Sequence, residues 1–394
     1  MLRPLRIGIT CHPTYGGSGA LATELARALA HNGHEVHLVA YAPPFRFEEQ
    51  PRLTLHELKV PDYPLFRYPP HDMAHASRLA QVIVEAKLDV LHAHYAIPHS
   101  MSAWLGREIA GRPEVGIVTT LHGTDVTLVG ADPVFRPALR FALARSDAIT
   151  AVSEWLAQQT NAAVCSECAV EVIPNFVDTA RFKPLVAPEL RRRFANDDEV
   201  LLAHASNFRP VKRVGDVVAA FALVAQQRPT RLLLIGDGPE RVAVEAALDA
   251  LHLRHLATFA GEVADPAEIM SCPDFFLLPS DAESFGLAAL EAMACGVVPI
   301  GTDAGGFPEL VHAGAAGALV PVARPDLLAS TILDLLDDKA RCDRMRTEAL
   351  RCARGEFSAQ QVVPRYEALY RSVISRRESQ RAAASPSGSE GTMP

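Results

Sequence analysis

The sequence predicts an α/β protein with two doubly wound parallel sheets, one in each half of the chain. Short apolar runs alternate with segments in which apolar residues recur at helical spacing, as in strand–helix–strand units. This alternation starts again after residues 174–188, so the second half repeats the order of the first. The length of 394 residues also suits two domains of ordinary size better than one core.

The first half opens with a strand, a helix and a second strand. Residues 6–11 form an apolar run, Leu21, Leu25 and Leu29 recur at helical spacing, and residues 35–41 form the next apolar run. Such a unit predicts a parallel sheet. The same pattern predicts further strands at LDVLHAHY, VGIVTTLHG and AITAVS, and helices at SMSAWLGREIA and PALRFALARS.

The second half shows the same pattern. It predicts strands at VLLAHAS, RLLLIGDG, LATFAGE, DFFLLPS, VVPIGTD and GALVPV, and helices at VGDVVAAFALVAQQ, ERVAVEAALDAL and GLAALEAMACG. We therefore place two domains at residues 1–178 and 179–356, and one more helix at 357–375. Residues 376–394 are small, polar and rich in Pro, Gly and Ser, which predicts a disordered tail.

Composition excludes several classes of function. The net charge of −8 argues against a broad nucleic-acid surface. The N-terminal segment lacks the features of a signal peptide, and no apolar run reaches the roughly 18 residues of a membrane span. Seven scattered cysteines are typical of a reducing cytoplasm, so we expect a cytoplasmic protein in which Cys165 and Cys168, a lone C-x-x-C, are ordinary thiols.

The glycine-rich loop Gly16–Gly19 follows the first strand and precedes the first helix. Its backbone N–H groups can point at an anion, and Ser18 can cap the helix or donate its hydroxyl. The spacing matches neither the dinucleotide motif G-x-G-x-x-G nor the Gly-Lys-Ser/Thr ending of a P-loop. An anion-binding loop and a simple tight turn therefore both remain open.

Two charged segments of the second half follow predicted strands. Arg209, Lys212 and Arg213 come after its first strand, where α/β sheets bind ligands, and they suit a diphosphate or form a solvated basic turn. Glu283 and Glu291 are separated by seven residues around the start of a helix. They can accept hydrogen bonds from sugar hydroxyls, or they are surface carboxylates near a helix N-terminus.

Histidines mark the strand ends of the first half. His122, in TTLHGTD, could bond a substrate hydroxyl or a backbone group. His92, His94 and His99 invite a metal assignment, but no carboxylate or cysteine completes a set of ligands. We therefore expect no metal and no cofactor.

Taken together and in this order, these segments resemble the retaining glycosyltransferases that use nucleotide sugars. That family has the GT-B fold, in which two Rossmann-like domains face each other across a cleft, and the E-x7-E pair is its most recognisable mark. The matching segments are GITCHPTYGGSGALATELARALAHNGHEVH, FRYPPHD, LDVLHAHYAIPH, GIVTTLHGTDVTLVG, SNFRPVKRVGDV, LLLIGDGPE and ESFGLAALEAMACGVVPIGTDAGGFPEL. The resemblance also implies that the helix from residue 357 crosses back to the first domain.

The resemblance implies roles by position. Arg209 and Lys212 would stabilise the departing diphosphate, His122 and Glu283 would contact the transferred sugar, and these four are the expected catalytic residues. The expected donor-binding residues are Gly17, Ser18, Asn207, Val263, Ser284, Phe285, Gly286, Leu287 and Glu291, with Glu291 on the ribose. Many relatives have an arginine where Asn207 stands, so here Arg209 has to supply that charge.

The substrates implied by the resemblance are UDP-GlcNAc and L-malate, joined with release of UDP in the first step of bacillithiol biosynthesis. The acceptor has two carboxylates and a hydroxyl, and the expected acceptor-binding residues are Ser18, Tyr95, Thr119, Thr120 and Arg140. Another acceptor (inositol phosphate, a lipid or a polysaccharide) and a non-catalytic sugar-nucleotide-binding protein are the alternatives. Whether the protein is a homodimer is left open.

Overall fold

The structure is a computed structural model that describes residues 3–13, 16–60 and 69–384. Its strands are β1 (Arg6–Thr10), β2 (Glu35–Ala40), β3 (Leu53–Glu57), β4 (Val90–His94), β5 (Gly116–Leu121), β6 (Ala148–Ala151), β7 (Val170–Val172), β8 (Val200–Ala205), β9 (Thr230–Ile235), β10 (Ala257–Gly261), β11 (Phe275–Leu278), β12 (Val298–Thr302) and β13 (Ala318–Val320).

The helices lie between and after these strands. They are α1 (Gly17–His31), α2 (His71–Glu85), α3 (Met101–Ala110), α4 (Arg136–Ala144), α5 (Glu154–Ala163), α6 (Pro188–Arg191), α7 (Val214–Ala225), α8 (Arg241–Ala250), α9 (Ala267–Met270), α10 (Leu287–Ala294), α11 (Phe307–Leu310), α12 (Pro325–Asp337), α13 (Lys339–Gly355) and α14 (Ala359–Ala384). Shorter helical turns occupy Ala96–Ser100, Asp125–Val129, Pro210–Lys212, Arg254–Leu256 and His312–Gly314.

The predicted α/β class with two parallel sheets is confirmed. The seven-stranded sheet has the order β3-β2-β1-β4-β5-β6-β7, and the six-stranded sheet has the order β10-β9-β8-β11-β12-β13. Neighbouring strands in both sheets pair in parallel. The strand order reverses between β1 and β4 and between β8 and β11, and the carboxyl ends of strands at such a point form a crevice.

The central strands are buried on both faces, as expected for parallel sheets covered by helices. Every residue of β4, β5 and β12 is buried. Side chains with chemical function therefore reach solvent at the strand ends and not along the strands. None of the described helices combines the length and apolar content that a membrane crossing requires.

The last helix returns to the first sheet. Tyr366 and Tyr370 of α14 are fully buried, and the Tyr370 hydroxyl lies 2.7 Å from Nδ1 of His92 in β4. The helix continues to Ala384, so its predicted end at residue 375 is wrong. Residues 376–384 consist largely of Arg, Glu, Gln and Ala, which favour helix. The rest of the predicted tail lies outside the described residues, and the domain boundaries remain predictions.

The expectation of ordinary thiols at the C-x-x-C is corrected by the structure. A turn after α5 brings the Cα atoms of Cys165 and Cys168 to 5.4 Å, and their sulfur atoms are bonded. The free cysteines of the described residues are all buried: Cys11, Cys272, Cys295, Cys342 and Cys352.

Candidate active site

A cavity of about 560 Å³ lies between the two sheets. The loops after β1, β4 and β5 line one side, and the loops after β8 and β11 with the first turns of α10 line the other. These predicted site residues line it: Gly17, Ser18, Tyr95, His122, Asn207, Arg209, Lys212, Glu283, Ser284, Phe285, Gly286, Leu287 and Glu291. Both strand-order reversals thus open onto one cleft, although the roles of these residues remain predictions.

The two halves touch through glycine positions at this cleft. A Cβ atom added to Gly17 would lie 3.8 Å from the side chain of Leu287, in ordinary contact. Gly123 has a φ of +119°, and a Cβ atom there would collide with Ser284. Gly123 therefore lets the loop that carries His122 approach the second half closely.

Lys212 and Glu283 form an ion pair inside the cleft. The Lys212 Nζ lies 2.5 Å from Oε2 of Glu283, and the two side chains are only 21% and 14% exposed. The backbone carbonyl of Glu283 also accepts a hydrogen bond from the N–H of Gly306 at 2.6 Å. The loop after β11 therefore holds a fixed carboxylate that positions the ammonium group of the loop after β8.

Arg46 is the main residue that sequence reasoning missed. It follows β2 in the first half, yet its Nη1 lies 2.6 Å from Oε1 of Glu291 on α10, and the side chains are 5% and 8% exposed. Its guanidinium also lies 5.4 Å from the ring centre of Phe182. The carboxylate expected to hold a ribose is therefore paired, across the cleft, with a buried arginine.

Arg209 offers the cleft a second kind of cation. It is exposed, lines the cavity and makes no ion pair with any other described residue. Its charge adds to burial in lowering the pKa of His12, which also lines the cavity. An unpaired guanidinium beside the Lys212–Glu283 pair suits a phosphate oxygen.

His122 is held in a network of histidines. Its Nε2 lies 2.9 Å from Nδ1 of His94, and its ring stacks on Tyr95 with ring centres 5.4 Å apart. Nε2 of His94 is buried with no hydrogen-bond partner among the described residues. An unpartnered lone pair costs less than an unpartnered N–H, which favours a tautomer in which His94 donates to His122. His122 then carries its own proton on Nδ1 and can donate it to a substrate oxygen.

Asp125 organises the loop of His122 and was not predicted as a site residue. Its buried carboxylate accepts hydrogen bonds from the backbone N–H of Gly123 at 2.8 Å and of His122 at 3.2 Å. Burial raises the pKa of Asp125 to about 6 in spite of these bonds. The H-G-T-D segment therefore reads as a closed turn whose aspartate positions the histidine.

Two amide groups point to polar ligand atoms. The Oδ1 atoms of Asn175 and Asn207 are buried, line the cavity and have no hydrogen-bond partner among the described residues. Buried polar atoms are normally paired, so the two unpartnered oxygens make Asn175 and Asn207 candidates for contact with a ligand. Asn175, which lies between the two sheets in sequence, was not predicted as a site residue.

Thr119 and Thr120 do not face the cleft, which corrects their assignment to the acceptor. Thr119 bonds through Oγ1 to Ser146 at 2.7 Å, and Thr120 bonds through Oγ1 to Thr150 at 2.6 Å. Both are buried in β5, whose successive side chains point to opposite covered faces of the sheet. The hydroxyls therefore satisfy each other inside the fold and are not offered to a substrate.

Arg140 and Val263 also lie outside the cavity lining. The Nε–H of Arg140 donates to the backbone carbonyl of Val164 at 2.8 Å, so the guanidinium joins α4 to the end of α5. The assignment of Arg140 to the acceptor is therefore wrong on geometry. Near Val263, it is Pro266 and Met270 that line the cavity.

The buried histidines predict a stability that falls in acid. Burial lowers the pKa of His92 and His122 to about 3 and of His75 and His204 to about 4. Below the unfolded-state pKa of about 6.5, the unfolded chain binds protons that the folded chain does not. The unfolding free energy should therefore drop as pH falls from about 6.5 towards 4, by at most about 1.4 kcal/mol per pH unit for each histidine. Denaturant titrations at several pH values test this, and a flat profile over that window would contradict it.

Comparison with known proteins matches a glycosyltransferase family model to each half of the chain. The family model described as Glycosyltransferase Family 4 matches residues 15–181, and the one described as Glycosyl transferases group 1 matches residues 187–351. N-acetyl-alpha-D-glucosaminyl L-malate synthase of Bacillus anthracis is 40% identical over 372 residues, covering 94% of this chain and 97% of that protein.

Solved structures agree on the fold. Sucrose-phosphate synthase from Thermosynechococcus elongatus matches with a TM-score of 0.80 at 22% identity, over 94% of this chain and 100% of that chain. HepE from Anabaena, solved with UDP and glucose, matches with a TM-score of 0.75 at 20% identity, over 93% of this chain and 100% of that chain. At these identities the likeness shows the fold, two Rossmann-like domains in the GT-B arrangement.

Proposed function

Since the chain belongs to the GT-B glycosyltransferases, and is thus a hexosyl-transferring enzyme, we propose that it moves GlcNAc from UDP-GlcNAc to L-malate. The sugar would join the malate hydroxyl with retention of its anomeric configuration, and UDP would leave, in the first step of bacillithiol biosynthesis. The observation that carries the proposal is the 40% identity to the malate synthase over nearly the whole of both chains. A cytoplasmic location belongs to the same proposal.

The donor diphosphate is assigned to the cations of the second half. Lys212 and Arg209 would bind its oxygens, and the N–H groups that open α10 would face the same charge. As the bond between the sugar carbon and the phosphate oxygen breaks, negative charge grows on the departing UDP. Fixed cations stabilise that charge without reorganising, which is the main catalytic contribution assigned to this site.

The sugar and its nucleoside are assigned to the two carboxylates. Glu283 would accept from hydroxyls of GlcNAc, His122 would donate to one of its oxygens, and Glu291 would accept from the ribose once Arg46 releases it. Glu283 is engaged by Lys212 and Glu291 by Arg46. We therefore assign no covalent nucleophile, and we assign to the departing phosphate the role of accepting the proton of the acceptor hydroxyl.

The acceptor is assigned to the wall formed by the first half. After the corrections above, the expected residues that line the cavity there are Ser18 and Tyr95, and His12 lies beside Tyr95 with ring centres 5.1 Å apart. The low pKa of His12 makes it a neutral donor.

A panel of substrates tests this function. Purified protein should release UDP when UDP-GlcNAc and L-malate are both present, and far more slowly with UDP-GlcNAc alone. The panel includes other UDP-sugars and GDP-mannose as donors, and D-malate, succinate and inositol phosphate as acceptors. Succinate is the matched control because it keeps both carboxylates and lacks the hydroxyl. Rapid UDP release with inositol phosphate, and none with L-malate, would overturn the acceptor.

We further propose that turnover needs no resident metal, since Lys212 and Arg209 supply the positive charge at the diphosphate. Enzyme treated with EDTA, and assayed in metal-free buffer, should keep its kcat within about twofold. Added Mg²⁺ should restore little or nothing. A loss of more than tenfold that Mg²⁺ reverses would contradict the assignment of this role to the two side chains.

A further inference from the structure

A second group of reactive side chains lies behind the wall of the cleft, on α13. His312, Glu348 and Cys352 place one ligand atom each within 4.8 Å of one another, and Glu356 lies beside them. We name these four residues the α13 cluster. Phe357 separates the cluster from the cavity, because its ring contacts both His312 and the cavity residue Phe285. No step of the proposed reaction uses these side chains.

Helix periodicity and a strained turn bring the cluster together. Glu348 and Cys352 are four residues apart and so share a face of α13, and Glu356 follows one turn later. His312 comes from the turn after α11, where its φ is +49° and that of Ala313 is +52°. Two successive non-glycine residues in the left-handed region cost energy, and here they direct the imidazole against α13.

The distances are close to those between the ligands of a tetrahedral metal ion. Sγ of Cys352 lies 3.8 Å from Nε2 of His312 and 3.8 Å from Oε1 of Glu348. Nε2 of His312 lies 3.0 Å from Oε2 of Glu356. Zinc with bonds of about 2.3 Å to sulfur and 2.0–2.1 Å to nitrogen and oxygen requires separations of roughly 3.3–3.6 Å. The ligand atoms of His312, Glu348 and Cys352 all lie within 4.8 Å of one another, so rotations of these side chains would bring them onto one metal ion.

Glu348, Cys352 and Glu356 already contact a positively charged group, the guanidinium of Arg351. Nη2 of Arg351 lies 2.8 Å from Glu348 Oε1, 2.9 Å from Glu356 Oε1 and 3.5 Å from Cys352 Sγ. The Arg351 side chain is 53% exposed, so it can turn into solvent. A metal would take its place with bonds to sulfur and nitrogen that a guanidinium cannot form.

We propose that the α13 cluster is a structural Zn²⁺ site with His312, Glu348 and Cys352 as ligands and with Glu356 or a water molecule as the fourth. A thiolate, an imidazole and carboxylates together favour zinc over Mg²⁺ and Ca²⁺, which prefer oxygen ligands alone. Binding releases the thiol proton to solvent and ties the turn 312–314 to α13. The proposal goes beyond the transferase function, and either can fail without the other.

Titration of the chelator-treated full chain with Zn²⁺ and Co²⁺ tests the site. We expect one high-affinity metal per chain, a thiolate-to-cobalt absorption in the near ultraviolet, and a higher Tm with Zn²⁺ at unchanged turnover. Cys352→Ser and His312→Ala should each weaken Zn²⁺ binding at least about tenfold, and the first should abolish the thiolate absorption. Cys342→Ser, on the same helix, and the exposed His255→Ala are matched controls that should change neither.

The variant Arg351→Ala, at an exposed residue, is expected to change the Zn²⁺ affinity in the opposite direction. It therefore serves as a control against misfolding of Cys352→Ser and His312→Ala. It removes the competing cation and should tighten Zn²⁺ binding several-fold. Binding that persists in Cys352→Ser and His312→Ala would overturn the proposal, because the metal would then lie elsewhere. Unchanged or weaker binding in Arg351→Ala would equally overturn it, since the arginine and the metal would not share a position.

Discussion

Replacing Lys212 by alanine is expected to lower kcat for UDP release by roughly 10²- to 10³-fold. The ammonium group faces the cleft from the loop after β8 and is fixed by Glu283 at 2.5 Å. In the free enzyme the Lys212–Glu283 contact is an ion pair, and with donor bound the same charge opposes the negative charge that grows on UDP. Removing it costs more in the transition state than in the ground state, so kcat should fall more than KM rises.

Two further variants distinguish the loss of the positive charge at residue 212 from a loss of folding. Lys212→Arg keeps the charge and should recover part of the turnover, although a planar guanidinium cannot place it identically. Lys339→Ala removes an exposed lysine at the start of α13 and should leave kcat unchanged. Circular dichroism and Tm establish that Lys212→Ala is folded. A folded Lys212→Ala enzyme with normal kcat would remove Lys212 from the catalytic machinery.

The architecture could be predicted because burial imposes a periodic pattern on the sequence. Strands buried on both faces, such as β5 and β12, are continuous runs of apolar or small residues, and the helices between them carry one apolar stripe. The pattern is weaker where burial is partial. In β3, only Leu53 is fully buried, and β7 has three residues with none buried, so neither strand was predicted.

The site could be predicted only in part, because long-range contacts and side-chain directions leave no periodic pattern in the sequence. Loops at the carboxyl ends of neighbouring parallel strands converge, so Lys212 and Glu283 could be placed at one edge of the second sheet. Their position in one cleft with His122 was implied by the resemblance to GT-B enzymes. A pairing such as that of Arg46 with Glu291 spans 245 positions and leaves no periodic signal. The direction of side chains at a strand end could not be predicted either. Thr119 and Thr120 lie at the expected strand end, but their side chains point into the covered faces of the sheet.

Replacing Glu291 by glutamine is expected to raise KM for UDP-GlcNAc by roughly 10- to 100-fold, with a smaller effect on kcat. The ribose would lose a charged acceptor, and hydrogen bonds to charged groups contribute about 1.5–3 kcal/mol each. The same change leaves the guanidinium of Arg46 buried without its carboxylate. Breaking a buried pair costs about 3–5 kcal/mol, so the unfolding free energy should fall as well. Initial rates at varied donor concentration and denaturant titrations measure the two effects.

Variants of the Arg46–Glu291 ion pair separate the effect on the donor KM from the effect on the unfolding free energy. Arg46→Met removes the group that occupies Glu291, so it should reduce stability without raising the donor KM. The double variant Arg46→Met with Glu291→Leu replaces a buried ion pair by apolar side chains, which is often neutral for stability. It should therefore regain stability while the donor KM stays high. If the donor KM returned to normal together with stability, the effect of Glu291 would come from folding, and its assignment to the ribose would be wrong.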